Sequence, residues 1–481
     1  MSHDNNSRRI TQRIVIKGNL VLQTPANLGN GDAEGLTDMP LSLDKISGRP
    51  LLTGSSIAGA LRYYLNIYTQ GYANARENKL TTLLFGGSKQ DDEGEQSSLI
   101  IHDSIADESS YHPEHIEIRD GVKIDYTSRT AEDRKKYDFE LIPAGTMFPL
   151  QFELLLSDDE HTTNVKEALV LALNGFTSGE IGLGARKTRG FGACTVDTWY
   201  TTVYDLKTTE GLLAWLSSEH TDWGYAQPEN QTGSLKDVLG VSQTRNDRRQ
   251  TFTIDATFTL NTPILIRSND PLNIGQYQPD TTHIGQWREG KKHSIIPGTS
   301  LAGVLRSRAD RILNTFNSTK TRGFLNQLFG TEMEKGKKPA QASRLMVQES
   351  NINEGHTMVQ NRVGIDRFTG GALDSALFNE APHIGGHVSF HILIQEPREA
   401  EIGLLLLLLK DLWTGDVPIG GTSSVGRGRL KGKRATICYS NERKWEIQST
   451  DTENPGLTVT GEDAQNLEVF VAALHNELEA I

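Results

Sequence analysis

The chain has 481 residues, 36% of them hydrophobic and 23% charged, with a formal net charge of −12. That length predicts about two to four domains, and the acidic balance excludes a protein that coats nucleic acid through bulk charge, though not one with local basic grooves. Two cysteines, Cys194 and Cys438, give neither a disulfide framework nor a metal-ligand spacing, and the longest apolar run, from Gly403 to Leu409, is too short to cross a membrane, so a cytoplasmic protein with no membrane partner is expected.

After MSHDNNSRRITQR, which lacks the apolar core of a secretory signal, the stretch RIVIKGNLVLQ from Arg13 alternates like a strand with one face in a core. A long polar loop, GNGDAEGLTDMPLSLDKISGRPLL, leads into TGSSIAGALR, residues Thr53 to Arg62. Glycine followed by hydroxyl residues reads as a helix start, because a side-chain oxygen can accept from an otherwise unpaired N–H. Ile57, Leu61 and Leu65 then follow at helical spacing. Such a start is either an ordinary capped core helix or a phosphate site that uses the free N–H groups and the positive dipole end, reinforced by Arg62. Next come a short strand LII from Leu99, an irregular charged insertion, a second alternating strand MFPLQFELLL from Met147, the helix VKEALVLALNGF, and a Gly-rich basic loop GLGARKTRGFG running into a last strand. Residues 201–250, with the short amphipathic helix GLLAWLSS and the polar PENQTGS, read as a linker.

The order then repeats. FTIDATFTLN from Phe252 is followed by a polar loop, PGTSLAGVLR (Pro297 to Arg306), LMV from Leu345, a charged insertion, HVSFHILI from His387, the helix EIGLLLLLLKDLW and the loop GGTSSVGRGRL. Thr24-Pro25 with Thr262-Pro263, Gly54 with Gly298, Phe85-Gly86 with Phe329-Gly330, Leu99 with Leu345, Ile124-Asp125 with Ile365-Asp366, and Ile181-Gly182 with Ile419-Gly420 keep their order at an offset near half the chain. This predicts an internal duplication: repeats at 1–200 and 251–440, the linker at 201–250, and a C-terminal helical extension at 441–481 ending in a docking helix. The β-α-β, β-α-β order of each half predicts an α+β protein of two tandem ferredoxin-like (RRM-like) domains, a fold shared by many RNA binders.

Local cations stand out in this acidic chain. Arg186, Lys187 and Arg189 lie in the first Gly-rich loop; Arg427, Arg429, Lys431, Lys433 and Arg434 lie in and after the second. Glycine lets backbone approach a ligand and cations meet phosphates; a solvated surface loop is the alternative. Neither loop is a Walker or dinucleotide fingerprint. His383, His387 and His391 recur every four residues, which on a helix would suggest a metal face. Their segment alternates like a strand, so they read as structural.

The Gly-Ser-Ser or Gly-Thr-Ser turn, NRVGIDRFTGGALDSALFNE from Asn361, and the Gly-rich basic loop together resemble the RAMP superfamily of CRISPR proteins, specifically the backbone subunits of type III effector complexes. The first repeat is degenerate in its insertion, DGVKIDYTSRTA, but keeps Ile124-Asp125, Ala131 and, downstream, ELIPAGTMF from Glu140. Two such subunits on one chain are similar to the tandem fusions of type III-D-like systems.

The resemblance implies RAMP domains with inserted thumb regions. They would bind a guide crRNA, assemble with other type III CRISPR effector subunits and cleave a complementary single-stranded target RNA at a displaced nucleotide. It implies a catalytic aspartate in the loop before each Gly-Ser helix. In the first repeat this is Asp38, from TDMP, with Asp32 and Asp44 as alternatives; in the second it is Asp280, with Asp270 as the fallback. Each would hold a divalent cation, Mg2+ or Mn2+, with water and phosphate filling most of the coordination. RNA contacts are implied for Ser55, Ser56, Arg62, Arg186, Lys187, Arg189, Thr299, Ser300, Arg306, Arg362, Arg367, Arg427 and Arg429, and base stacking for Tyr277, Trp287 and Phe368. Without the resemblance, a loop aspartate reads as a turn-maker. Two rival readings are a scaffold that binds guide RNA without cutting and a guide-processing endoribonuclease working by general acid–base chemistry.

Overall fold

The computed structural model describes residues 9–31, 37–73, 78–87, 96–124, 131–158, 160–218, 234–242, 245–268, 279–288, 291–316, 319–331, 340–440, 442–450, 456–462 and 465–479. The chain divides into two compact units, Met1–Glu117 with Glu140–Ala185 and Phe191–Arg249, and Ile118–Phe139 with Arg186–Gly190 and Gln250–Ile481.

In the first repeat the elements run β1 (Ile10–Leu22), α1 (Gly54–Gln70), α2 (Lys79–Phe85), β2 (Leu99–Ile101), the hairpin strands β3 (Glu117–Ile124) and β4 (Ala131–Leu141), β5 (Met147–Ser157), α3 (Thr162–Thr177) and β6 (Cys194–Asp205). The main sheet is antiparallel in the order β2-β5-β1-β6. With α1 between its first two strands and α3 between its last two, this is the ferredoxin-like arrangement. Alternation along β1 turns Ile14, Ile16, Leu20 and Leu22 inward, where they meet Ile57, Leu61 and Leu65 of α1 and Leu169, Leu173 and Phe176 of α3. Helical and strand periodicities thus close on one core. The described parts of the predicted linker pack on this unit: α4 (Thr209–Ser217) sets Trp215 against Tyr204, Leu239 and Val241 join the core, and Arg249 bonds the carboxylates of Glu180 and Asp247.

The second repeat runs β7 (Thr251–Leu260), β8 (Thr281–His283), α5 (Gly298–Thr315), α6 (Thr321–Phe329), β9 (Leu345–Val347), β10 (Gln360–Ile365), β11 (Ala372–Ala381), β12 (His387–Gln395), α7 (Glu399–Trp413) and β13 (Leu430–Tyr439). Its core sheet keeps the same order, β9-β12-β7-β13. The C-terminal extension is not purely helical. β14 (Arg443–Thr450) and β15 (Gly456–Gly461) lengthen the sheet beyond β13 before α8 (Gln465–Glu479) buries Phe470, Leu474 and Leu478 in the second core. Both strands are largely polar, so an apolar run does not announce them.

The second unit also holds the β3–β4 hairpin residues 118–139. There the Arg119 guanidinium, 7% exposed, pairs with the fully buried Glu349 carboxylate, which Arg288 also approaches at 3.5 Å. Among the described residues no helix is long and apolar enough to cross a membrane.

His283, 2% exposed, is locked as a neutral ring: the Ile266 N–H donates to Nδ1 at 3.1 Å, and Nε2–H donates to the Ile295 carbonyl at 3.0 Å. Burial, with neighbouring His383, pushes its pKa down to about 3. The unfolded chain therefore binds this proton first. The contribution of His283 to stability is complete above pH 6.5 and is lost as pH falls towards about 3. Urea denaturation between pH 7.5 and pH 5 should show stability falling with acidity, this one group contributing a slope that approaches ~1.4 kcal/mol per pH unit. His283→Gln should flatten that slope.

Candidate nucleic-acid interface

Each acid loop runs beside the strand that returns from the inserted hairpin of its repeat. Met39, the residue after Asp38, accepts through its carbonyl from the Glu140 N–H at 3.3 Å. Thr281, the residue after Asp280, pairs in parallel with Glu380. Glu140 and Glu380 each lie near the end of the strand that returns from the inserted hairpin, β4 or β11. Asp38 and Asp280 are both exposed.

The surroundings of the two acids differ. Around Asp38, Thr37 Oγ1 donates to Glu140 Oε1 at 3.2 Å and the Leu41 N–H donates to Oε2 at 3.1 Å. Asn27 Nδ2 donates to the carbonyls of Met39 and Glu140 at 3.1 and 2.8 Å. Asp280 instead exchanges bonds with Asn379: its N–H donates to Asn379 Oδ1 at 3.2 Å, and the Asn379 N–H donates to Asp280 Oδ2 at 2.8 Å. Glu380 pairs with Arg427 at 2.8 Å and Arg362 at 3.3 Å. Asp44, an alternative to Asp38, accepts from Ser47 N–H and Oγ–H, both at 2.7 Å, and these bonds hold its carboxyl below the usual range. Asp44 is a turn-maker. Asp32, Asp270 and Tyr277 lie outside the described residues.

At the helix starts, Thr53 Oγ1 accepts from the Ser56 N–H and caps α1, while Ser55 and Ser56 are exposed. The Gly54 N–H donates to Asp103 Oδ1 at 2.7 Å, so a carboxylate of the chain already occupies that donor. Thr299 and Ser300 are half-buried behind Pro297. The glycines have a packing reason: a Cβ on Gly54 would strike the Ile101 carbonyl, and one on Gly298 the Val347 carbonyl, because each helix abuts the short strand beside it. Arg62 and Arg306, expected to contact the guide, make bonds within the chain. Arg62 donates to the Gly86 carbonyl at 2.6 Å; Arg306 donates to the Gly330 carbonyl at 3.1 Å and to Asn326 Oδ1 at 3.2 Å. Both tie the long helix to the end of the next one, where helix carbonyls carry partial negative charge.

The Gly-rich loops superimpose by hydrogen bonding, two residues away from the sequence alignment. Leu183 N–H donates to the Gly192 carbonyl and Gly192 N–H to Pro25; Ile419 N–H donates to Gly428 and Gly428 N–H to Pro263. Leu183-Gly184, not Ile181-Gly182, is therefore the counterpart of Ile419-Gly420, and the two glycines have φ of +81° and +89°.

The loop cations fall into two groups. Arg427 is 3% exposed and donates to Glu380, Gln360 and Thr422. It is a buried brace rather than a phosphate ligand, and Arg362 is its half-buried companion on Glu380. Arg186 donates to Tyr137 Oη at 2.6 Å and stacks 4.4 and 4.7 Å from the rings of Tyr137 and Phe139; Arg189 donates to the Phe329 carbonyl at 3.1 Å. Lys187, Arg429, Lys431, Lys433 and Arg434 are exposed, as is Arg367 at the tip of the β10–β11 hairpin. Asp366 builds that tip. Its carboxylate accepts from the N–H groups of Phe368 and Thr369, both at 2.8 Å, which hold it below the usual carboxylate range. Phe368 next to Arg367 is 99% exposed. Trp287 is half-buried on the strand Gly285–Arg288.

His387 and His391 lie on β12, and His383 bonds Ser294 Oγ and the Glu354 carbonyl. Among the described residues no three His, Cys, Asp or Glu side chains converge as a metal site. The donors beside Asp38 and Asp280 do not fit a resident divalent cation, since Glu140 and Glu380 bond protein donors.

Both glutamates were missed from sequence; they sit near the same clamp but not in the same register, Glu140 two residues before Ile142 and Glu380 three before His383. Removing Arg427 leaves the buried Glu380 carboxylate to the half-buried Arg362, so Arg427→Met should destabilise the protein by roughly 3 kcal/mol, the low end for breaking a buried pair. Lys433→Ala, at an exposed site, should stay within about 0.5 kcal/mol. Denaturant titration of each variant checks both.

The RAMP superfamily pattern matches residues 19–195 and 257–431. The CRISPR system Cms endoribonuclease Csm3 of Streptococcus thermophilus is 28% identical over 225 residues, which span 42% of this chain and 96% of that protein. Each RAMP match begins within a central strand, β1 or β7, and ends in the last strand of the same sheet, β6 or β13. The chain thus belongs to the RAMP superfamily and carries its domain twice, on two ferredoxin-like sheets of identical strand order.

Proposed function

We propose that this chain is a tandem backbone subunit of a type III CRISPR effector complex, binding guide crRNA and cleaving complementary single-stranded target RNA with other subunits of that complex. The observation that carries this reading is an exposed aspartate, Asp38 or Asp280, in the loop beside the returning strand of the inserted hairpin in each RAMP domain. The resemblance to an endoribonuclease of a CRISPR system supports it.

In this reading the exposed cations Lys187, Arg367, Arg429, Lys431, Lys433 and Arg434 meet phosphates, and Phe368 meets a base. Ser55 and Ser56 offer hydroxyls at the start of α1. A nucleotide displaced from the guide–target duplex frees its backbone to bring the 2′-oxygen in line with the adjacent phosphorus, and such alignment is a large contribution to rate. The 2′-oxygen bonds to phosphorus, the bond to the 5′-oxygen breaks, the Asp38 carboxylate takes the 2′ proton, and water protonates the leaving oxygen. A divalent cation, Mg2+ or Mn2+, would come with the RNA phosphates rather than reside in the chain. The reciprocal pairing of Asp280 with Asn379 favours a second reading for the second repeat, as a scaffold that holds RNA without cutting.

In the reconstituted complex, Asp38→Ala should slow cleavage at one target position by roughly 10²–10⁴-fold while guide RNA remains bound. Asp280→Ala tests the second position in the same way. Unchanged cleavage by both variants would assign the whole chain to scaffolding, and cleavage persisting in excess chelator would remove the cation from the reading.

A further inference from the structure

Glu140 touches the Asp38 loop on both sides of the acid. One carboxylate oxygen takes the hydroxyl of Thr37, and the other takes the N–H of Leu41. Asn27, 1% exposed, adds a third fixed point by donating to the carbonyls of both Met39 and Glu140. Thr37 is buried at 6% exposure, and the very next residue, Asp38, is exposed. The chain therefore passes from an inward to an outward residue inside a two-point clasp, which fixes the direction in which the Asp38 side chain leaves the backbone. Against the matching backbone clamps, Ala26 with Ile142 and Ile264 with His383, Glu140 corresponds to Ala381; the neighbouring Glu380 neutralises Arg427 and Arg362, and Asn379 holds Asp280 instead.

We infer that Glu140 is a positioning residue that sets the geometry of Asp38, and that the two acids of this chain depend on different supports. This rests on the reading of Asp38 as the acid that serves cleavage. Both jobs of Glu140 are hydrogen-bonding jobs. A glutamine can fill them, its amide oxygen accepting from the Leu41 N–H and its amide N–H₂ donating to the Thr37 hydroxyl. A role in proton transfer would need the carboxylate itself.

The test is single-turnover cleavage by the reconstituted complex, resolved by target position and read beside guide RNA content, target affinity and melting temperature. Glu140→Ala should slow the Asp38-dependent cut by about 10- to 100-fold, the scale of a small misplacement, with target affinity and the other readouts unchanged. Glu140→Gln should restore the rate to within about threefold. Thr37→Val, which removes half of the clasp from the other side, should slow the same cut less than Glu140→Ala. The double variant Asp38→Ala with Glu140→Ala should be no slower than Asp38→Ala alone, because Glu140 acts through Asp38. A full cleavage rate in Glu140→Ala, beside a strong defect in Asp38→Ala, would overturn the inference and leave the proposed function standing. So would a Glu140→Gln variant as slow as Glu140→Ala, or a slowing matched by loss of guide RNA or of melting temperature in both Glu140→Ala and Thr37→Val. No defect in Asp38→Ala would instead overturn the cleavage role assigned to Asp38.

Discussion

Each repeat depends on satisfying the backbone of the segment that leaves its central strand. β1 and β7 are hydrogen-bonded along both edges, so the chain that follows exits from the middle of a sheet, where unpaired N–H and C=O groups are costly. Both repeats solve this in the same way. The Gly-rich loop closes one side, with Ala185 N–H donating to the Asn27 carbonyl and Gly421 N–H to that of Leu265. The end of the hairpin closes the other side, where Ala26 and Ile142 exchange N–H···O=C bonds, as do Ile264 and His383. The acid loop is what remains between these two clamps. Its position follows from backbone bookkeeping rather than from any side chain of the acid itself.

That common frame has been decorated with opposite electrostatics. A glutamate lies near the end of the returning hairpin strand in both repeats, one register position apart; Glu140 accepts from neutral donors while Glu380 faces two guanidinium groups, one of them buried. A carboxylate that accepts from a hydroxyl and a backbone N–H shapes a loop. A carboxylate paired with buried arginine cements a core and has little freedom left. The same contrast separates the cations. The fold divides the basic residues into internal braces, such as Arg62, Arg306 and Arg427, and exposed groups, such as Arg367 and Lys433. Burial thus separates arginines that are held inside the chain from cations that reach solvent.

Much of the architecture was legible before folding. Alternation in β1, β5, β7 and β12 and the helical spacing of Ile57, Leu61 and Leu65 are local patterns, and a duplicated order of local patterns survives divergence. An acid-bearing loop before each helix start was also legible. The registry of the Gly-rich loops was not. Ile-Gly occurs at both 181 and 419, but the hydrogen bonds follow Leu183-Gly184, because the conformation with positive φ selects a position and not a dipeptide. The polar strands β14 and β15 were hidden for a related reason: a sheet edge recruits backbone, which every residue carries.

By itself, then, the sequence determined a doubled α+β chain with a helix start, an acid loop and a basic glycine loop in each half. Those traits are written in spacing along one dimension. Only the tertiary structure decided which arginines are buried, that Asp44 makes a turn, and that Glu140 and Glu380 meet different partners. Burial and partner choice depend on residues about a hundred positions away, as between Glu140 and Thr37, or between His283 and His383. Such contacts exist only after the strands have paired, and no local pattern encodes them.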